Sequence, residues 1–61
     1  MKHKEISLST FNDRLIITHP NQQWKARYSS VGAVYDCLAS TKDEAVEGLK
    51  EFMYENGYTI I

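Results

Sequence analysis

The sequence predicts an α+β fold in which a four-stranded antiparallel sheet is followed by one C-terminal helix (β-β-β-β-α). Apolar and polar residues alternate with period two through most of the first two thirds of the 61 residues, as in half-buried strands. From Thr41 onwards the apolar residues recur at intervals of three and four, as in an amphipathic helix. Because the predicted connections are short, neighbouring strands must run antiparallel. We expect residues 1–61 to form a single domain, with the helix on one face of the sheet.

The first two predicted strands form a hairpin. Apolar residues alternate with serines in residues 4–11, which predicts a half-buried strand. Asn12-Asp13 follows as a turn, because both residue types tolerate left-handed backbone angles. Residues 14–18 are rich in β-branched side chains and predict the second strand. That strand ends before Pro20, which lacks the N–H that a ladder needs.

The third and fourth predicted strands are residues 23–29 and 33–39, joined by a turn at Gly32. The third strand has the clearest period of two. One of its faces carries Trp24, Ala26 and Tyr28, and the other carries Lys25, Arg27 and Ser29. Both faces of the fourth strand contain apolar residues, so the pattern does not assign which face points inward.

The predicted helix begins at a capping box. The Thr41 hydroxyl can accept from the Glu44 N–H, and the Glu44 carboxylate can reach back to the Thr41 N–H. Asn56-Gly57 ends the helix, with Gly57 as the left-handed residue. One apolar stripe follows helical spacing and contains Ala45, Val46, Leu49, Phe52 and Met53.

Two features near the helix have open interpretations. Gly48 lies in mid-helix, where glycine costs about 1 kcal/mol relative to alanine. It either permits close approach to the sheet or a partner, or is a tolerated defect. Residues 58–61 are too apolar for a random tail, so we expect them to return along the sheet edge or to cover the core.

The composition offers little chemistry for catalysis. Cys37 is the only cysteine, which excludes an internal disulfide and a multi-cysteine zinc site, and we interpret it as a small buried hydrophobe. The two histidines, His3 and His19, have no acid or cysteine at ligand spacing. We therefore predict no enzyme activity, no cofactor and no metal site.

A free thiol is typical of a reducing compartment. The charged N-terminus is not followed by an apolar run of signal-peptide length, and no stretch reaches the length of a membrane span. We therefore expect a cytoplasmic protein that does not enter a membrane.

Charge is distributed unevenly along the chain. Residues 1–35 carry five basic and two acidic side chains, whereas residues 36–61 carry two basic and six acidic ones. Within the helix the acids repeat every four residues, so they form a row on one side: Asp43, Glu47, Glu51 and Glu55. The row is either a solvated face or a docking surface for a basic protein partner.

A second candidate surface lies on the third strand. Trp24, Lys25 and Arg27 together would suit nucleic acid, by stacking and by phosphate contacts. The alternative is that Trp24 belongs to the core, while Lys25 and Arg27 belong to a solvated face.

Two resemblances each cover about half of the chain. Trp24-Lys25-Ala26-Arg27, Gly32 and residues 40–45 resemble the sheet-plus-helix DNA-binding domain of the AP2 and integrase-arm type. This resemblance implies that the sheet enters the major groove, with Trp24, Lys25 and Arg27 at the matching positions. Asp36 and the N-terminal hairpin depart from that pattern. Residues 36–52 resemble the segment that joins a strand to the helix in HicB-type antitoxins, which implies an antitoxin-like role.

These observations favour a small, non-enzymatic protein-interaction module: an inhibitor, an antitoxin-like protein or a regulatory protein, encoded by a phage or another mobile element. We expect it to bind a protein partner through Asp43, Glu47, Glu51 and Glu55. The alternative is a DNA-binding domain that uses Trp24, Lys25 and Arg27. The sheet edges carry few blocking prolines, so a homodimer formed edge to edge is a further expectation.

Overall fold

In the computed structural model the described residues are 4–61. Two residues considered in the sequence analysis lie outside this range: Lys2, which was counted among the basic residues, and His3, one of the two histidines. Five strands and two helices follow one another, with a short 3-10 turn at Pro20–Gln22. In chain order the elements are β1 (Lys4–Ile6), α1 (Leu8–Arg14), β2 (Leu15–Thr18), β3 (Trp24–Ser30), β4 (Ala33–Ala39), α2 (Lys42–Glu55) and β5 (Tyr58–Ile60). The α+β class is confirmed.

The central layer is a three-stranded antiparallel sheet in the order β2-β3-β4. Leu15 pairs with Tyr28 across the first ladder, and Tyr28 pairs with Tyr35 across the second. Strands β3 and β4 are joined by the predicted turn, where Gly32 adopts a φ of +83° that residues with a Cβ rarely adopt. The predicted bounds of β2, β3 and β4 agree with the structure to within one residue.

The N-terminal segment differs from its prediction. Residues 4–11 do not form one strand, because β1 ends at Ile6 and α1 begins at Leu8. The Ser7 hydroxyl caps α1 by accepting from the Thr10 N–H at 3.2 Å, which satisfies one of the free donors of the first turn. The predicted turn at Asn12-Asp13 lies inside this helix.

The C-terminal segment forms a second, smaller sheet. Strand β5 pairs in parallel with β1, with Glu5 opposite Thr59 and Ile6 opposite Ile60. The prediction of a four-stranded antiparallel sheet with one helix is therefore wrong. Residues 4–61 form a three-stranded antiparallel sheet, a two-stranded parallel sheet and two helices. Parallel pairing of β1 and β5 needs a long connection, and here the whole central sheet and both helices supply it.

Helix α2 begins and ends as predicted. The Thr41 hydroxyl accepts from the Glu44 N–H at 3.2 Å and donates to the Glu44 carboxylate at 2.9 Å. This carboxylate therefore contacts a hydroxyl, where the capping box predicted the main-chain N–H. At the other end Gly57 has a φ of +94°, the conformation that closes a helix with a left-handed residue.

The core lies between the central sheet and the helices. Its buried members come from α1, β3 and α2: Phe11, Ala26, Tyr28, Ala45, Leu49 and Met53. Phe11 stacks on Tyr28 with ring centroids 5.8 Å apart. Phe52, which the predicted apolar stripe includes, is 43% exposed and lies at the core edge.

The structure also assigns the inward face of β4. Tyr35 and Cys37 are half-buried toward the helices, whereas Val34, Asp36 and Leu38 are exposed on the opposite face. The central sheet therefore has one covered face and one open face.

Candidate functional site

A groove runs along the outer side of α2, between this helix and the chain that follows it. Its volume is about 980 Å³. Helix α2 contributes the charged side chains Glu47, Lys50, Glu51 and Glu55. The rest of the lining forms a mainly apolar wall, with Leu8 from α1, Tyr54 from the end of α2, and Tyr58, Thr59, Ile60 and Ile61 from the C-terminal segment.

Three of the four acids of the predicted row line this groove. Glu47, Glu51 and Glu55 are exposed along its rim, whereas Asp43 lies one turn earlier and outside it. Asp43 is in the first turn of α2, where a negative charge is favourable to the helix dipole. The structure therefore places the row where sequence spacing predicted, but only its last three members share a concave surface.

Lys50 reduces the negative charge at one end of the groove. Its Nζ lies 3.8 Å from Glu47 Oε2 and 5.8 Å from the centroid of the Phe11 ring. Among the described residues the ion pairs do not include Glu51 or Glu55. The two carboxylates nearest the C-terminal end of α2 therefore give the groove most of its unpaired charge.

Sequence reasoning missed the apolar wall. Leu8, Tyr54 and Ile61 are 47%, 59% and 64% exposed, which is high for large apolar side chains that lie together. The only sequence signal was the apolar character of residues 58–61, which indicated a returning segment but not its neighbours.

The main chain fixes this wall in place. The Leu8 N–H donates to the Ile61 carbonyl at 2.7 Å, and the Ile61 N–H donates to the Ile6 carbonyl at 2.9 Å. These bonds join Ile61, which directly follows β5, to the end of β1 and the start of α1. The groove is therefore built on paired backbone rather than on a loose tail.

An aromatic cluster lies beside the groove. Tyr35 contacts Phe52 and Tyr58 edge to face, with ring centroids 5.4 and 5.6 Å apart. Partial burial, followed by the charge and the hydrogen bond of Tyr58, raises the pKa of Tyr35 above its ordinary value. The neutral hydroxyl form is thus favoured, which suits a packing role between β4, α2 and β5.

The residues proposed for nucleic acid lie on different sides of the sheet. Lys25 and Arg27 point to the open face, whereas Trp24 packs against the core on the covered side. Trp24 also stacks on His19, with ring centroids 4.4 Å apart. The structure therefore does not bring Trp24 together with the two basic residues.

Asp36 partly neutralises the basic pair on the open face. Its carboxylate lies 3.2 Å from the Arg27 guanidinium and 3.9 Å from Lys25 Nζ. The same face also carries large apolar side chains, because Ile16, Val34 and Leu38 are each about half exposed. Two cations that share one carboxylate give a weaker phosphate-binding surface than two free cations.

Other chemistry is sparse in the part of the chain that the structure describes. Within residues 4–61 no group of three or more His, Cys, Asp or Glu side chains is arranged to hold a metal ion. Cys37 is half-buried, and its thiol donates to the Leu38 carbonyl at 3.7 Å.

Neither helix within residues 4–61 has the length and hydrophobicity that crossing a bilayer requires. Comparison of the chain with protein-family models, with curated proteins and with solved structures found no match. The resemblances to sheet-plus-helix DNA-binding domains and to HicB-type antitoxins therefore stay predictions.

Proposed function

We propose that this chain is a non-enzymatic protein-interaction module that binds a basic protein partner through the groove beside α2. One observation carries the proposal: Glu47, Glu51 and Glu55 rim a groove whose remaining lining is mainly apolar and includes the exposed side chains of Leu8 and Ile61. Interfaces combine these two properties, since apolar contact supplies affinity and charge supplies orientation and association rate.

The free energies of the two kinds of contact favour a partner that binds both the acidic rim and the apolar wall. An exposed charge pair contributes about 0–1 kcal/mol. Burial of an aliphatic side chain contributes about 1.5–3 kcal/mol. An acidic row alone would therefore steer a partner without holding it, whereas Leu8 and Ile61 add the affinity that the carboxylates lack.

The role that suits such a module is that of an inhibitor, an antitoxin-like protein or another regulator in the cytoplasm. These assignments, and the origin in a phage or mobile element, are supported by small size and by the absence of catalytic motifs in the sequence. Edge-to-edge homodimers through β2 or β4 are part of the same proposal.

The test is a pull-down from bacterial lysate with the tagged chain, divided into nuclease-treated and untreated halves. We expect one discrete protein in both halves, and we expect it to be lost with E47K/E51K. The matched control is E5K/D13K, which changes the net charge equally at exposed acids outside the groove. Equal capture by wild type and E47K/E51K would show that the acidic rim is the wrong surface.

The same experiment tests the DNA-binding alternative. Nucleic acid in the untreated half, with proteins that disappear after nuclease, would favour the open sheet face. Retention would then fall with K25A/R27A and would decrease steeply with salt, because phosphate contacts release counterions.

A further inference from the structure

We infer that the occupant of the groove is about two turns of an amphipathic helix from the partner, with basic side chains on one flank and aliphatic side chains on the next. This inference rests on the proposed function and specifies the shape and chemistry of the bound segment. It is based on the length and lining of the groove as well as on the acidic row.

The length of the groove suits a short helical segment. Glu47 to Glu55 covers eight residue steps, or about 12 Å at a rise of 1.5 Å per residue. A helix is about 10 Å wide with its side chains. Two turns of such a helix are about 11 Å long and therefore fit alongside the segment from Glu47 to Glu55.

The spacing of charge suits the same occupant. The three rim carboxylates repeat every four residues, so they stand about 6 Å apart along α2. Lysine or arginine side chains at i and i+4 of a partner helix repeat at the same distance. A helix that lies along α2 can therefore face several carboxylates without loss of register.

The apolar wall requires a second stripe on the partner. Leu8 and Ile61 line the groove from elements other than α2, so aliphatic side chains next to the basic row of a partner helix would reach them. A helix presents two neighbouring stripes of this kind on one side, which is the helix-in-groove mode of recognition.

A second copy of this chain does not supply the occupant. In the described helices the basic residues are Arg14 in α1 and Lys42 and Lys50 in α2, and no two of them are four residues apart. Nucleic acid does not suit the groove either, because its phosphates would face the carboxylates.

The test uses the ¹⁵N-labelled chain of residues 1–61 and two synthetic peptides of about 15 residues with the same lysine, leucine and alanine content. One peptide places lysines at i and i+4 beside a leucine stripe, and the other has the same residues scrambled. We expect the amphipathic peptide to shift the amide signals of Leu8, Glu51, Glu55 and residues 58–61. We expect it to bind about tenfold more tightly than the scrambled peptide, since one aliphatic contact changes affinity by that order.

The variants separate this inference from the proposed function. Binding should weaken about tenfold with E51K/E55K, and it should be unchanged with E5K/D13K. Equal affinity for both peptides would overturn the helical, amphipathic occupant while leaving charge-driven binding to the rim intact. No amide shifts in the groove, or shifts confined to the open sheet face, would also overturn it. Capture of a protein partner from lysate tests the proposed function independently of the peptide experiment.

Discussion

At the scale of single residues, Gly48 decides how closely α2 can approach the sheet. A Cβ atom added at this position would lie 2.6 Å from Cys37 Sγ, closer than real Cβ contacts occur, but 3.8 Å from Cys37 Cβ. The sequence left two interpretations of Gly48 open, and this distance supports close approach over a tolerated defect. The conformational cost of a mid-helix glycine is offset by closer packing between α2 and β4.

We therefore expect Gly48→Ala and Cys37→Ala to be strongly coupled. Gly48→Ala alone gains about 1 kcal/mol of helix propensity but loses about 1–3 kcal/mol to overpacking against the sulfur, so stability should fall or stay level. In the Cys37→Ala background the clash is absent, and Gly48→Ala should stabilise by about 1 kcal/mol. Urea unfolding of the four proteins measures the coupling. Additive effects would mean that the Cys37 thiol rotates away, or that α2 and β4 separate, at no cost.

At the scale of elements, the sequence predicted those segments whose local signals agree. In α2 the capping threonine, the acidic first turn, the apolar stripe and the terminal Gly57 all indicate one helix. In residues 4–14 they conflict. Alternating apolar residues and serines predict a strand, and the residue three after Ser7 is threonine rather than the glutamate or glutamine of a capping box. A helix of seven residues is also too short to be stable alone, so burial of Phe11 decides its formation.

Because α1 is marginal, its cap should matter more than its exposed position indicates. We expect Ser7→Ala to lower the free energy of unfolding by about 1 kcal/mol, since the Thr10 N–H loses its acceptor. The control is Ser9→Ala, which removes a hydroxyl that lies 3.3 Å from the Ser7 hydroxyl but leaves the acceptor of the Thr10 N–H in place, so it should change stability by less than about 0.5 kcal/mol. Amide exchange at Thr10 provides a local readout. Equal effects of the two changes would assign no capping role to Ser7.

At the scale of the whole molecule, β5 connects the fold to the groove. The acidic row could be predicted because its spacing is local, but the groove depends on contacts between residues that are far apart in sequence. Leu8 and Ile61 are separated by nearly the whole chain, and hydrogen bonds between β1 and β5 bring them together. No periodicity within either segment indicates a parallel partner at the other end of the sequence.

Strand β5 both pairs with β1 and lines the groove. We therefore expect that the chain cannot fold without it. Deletion of residues 58–61 removes the partner of β1, the acceptor for the Leu8 N–H and the Tyr58 contact of Tyr35. A chain of this size has a net stability of about 3–9 kcal/mol. We therefore expect loss of cooperative melting by circular dichroism and collapse of amide dispersion in NMR spectra. An unchanged melting temperature would mean that β1 and β5 are peripheral to stability.

Ile61→Ser is the counterpart that separates stability from binding. The Ile61 main chain keeps both of its hydrogen bonds, and a side chain that is 64% exposed gives up little buried surface. Stability should therefore change by less than about 0.5–1 kcal/mol. The same substitution removes an exposed aliphatic contact from the groove, so affinity for the amphipathic peptide should fall by about an order of magnitude. Loss of both properties together would mean that the apolar wall stabilises the fold and is not available to a partner.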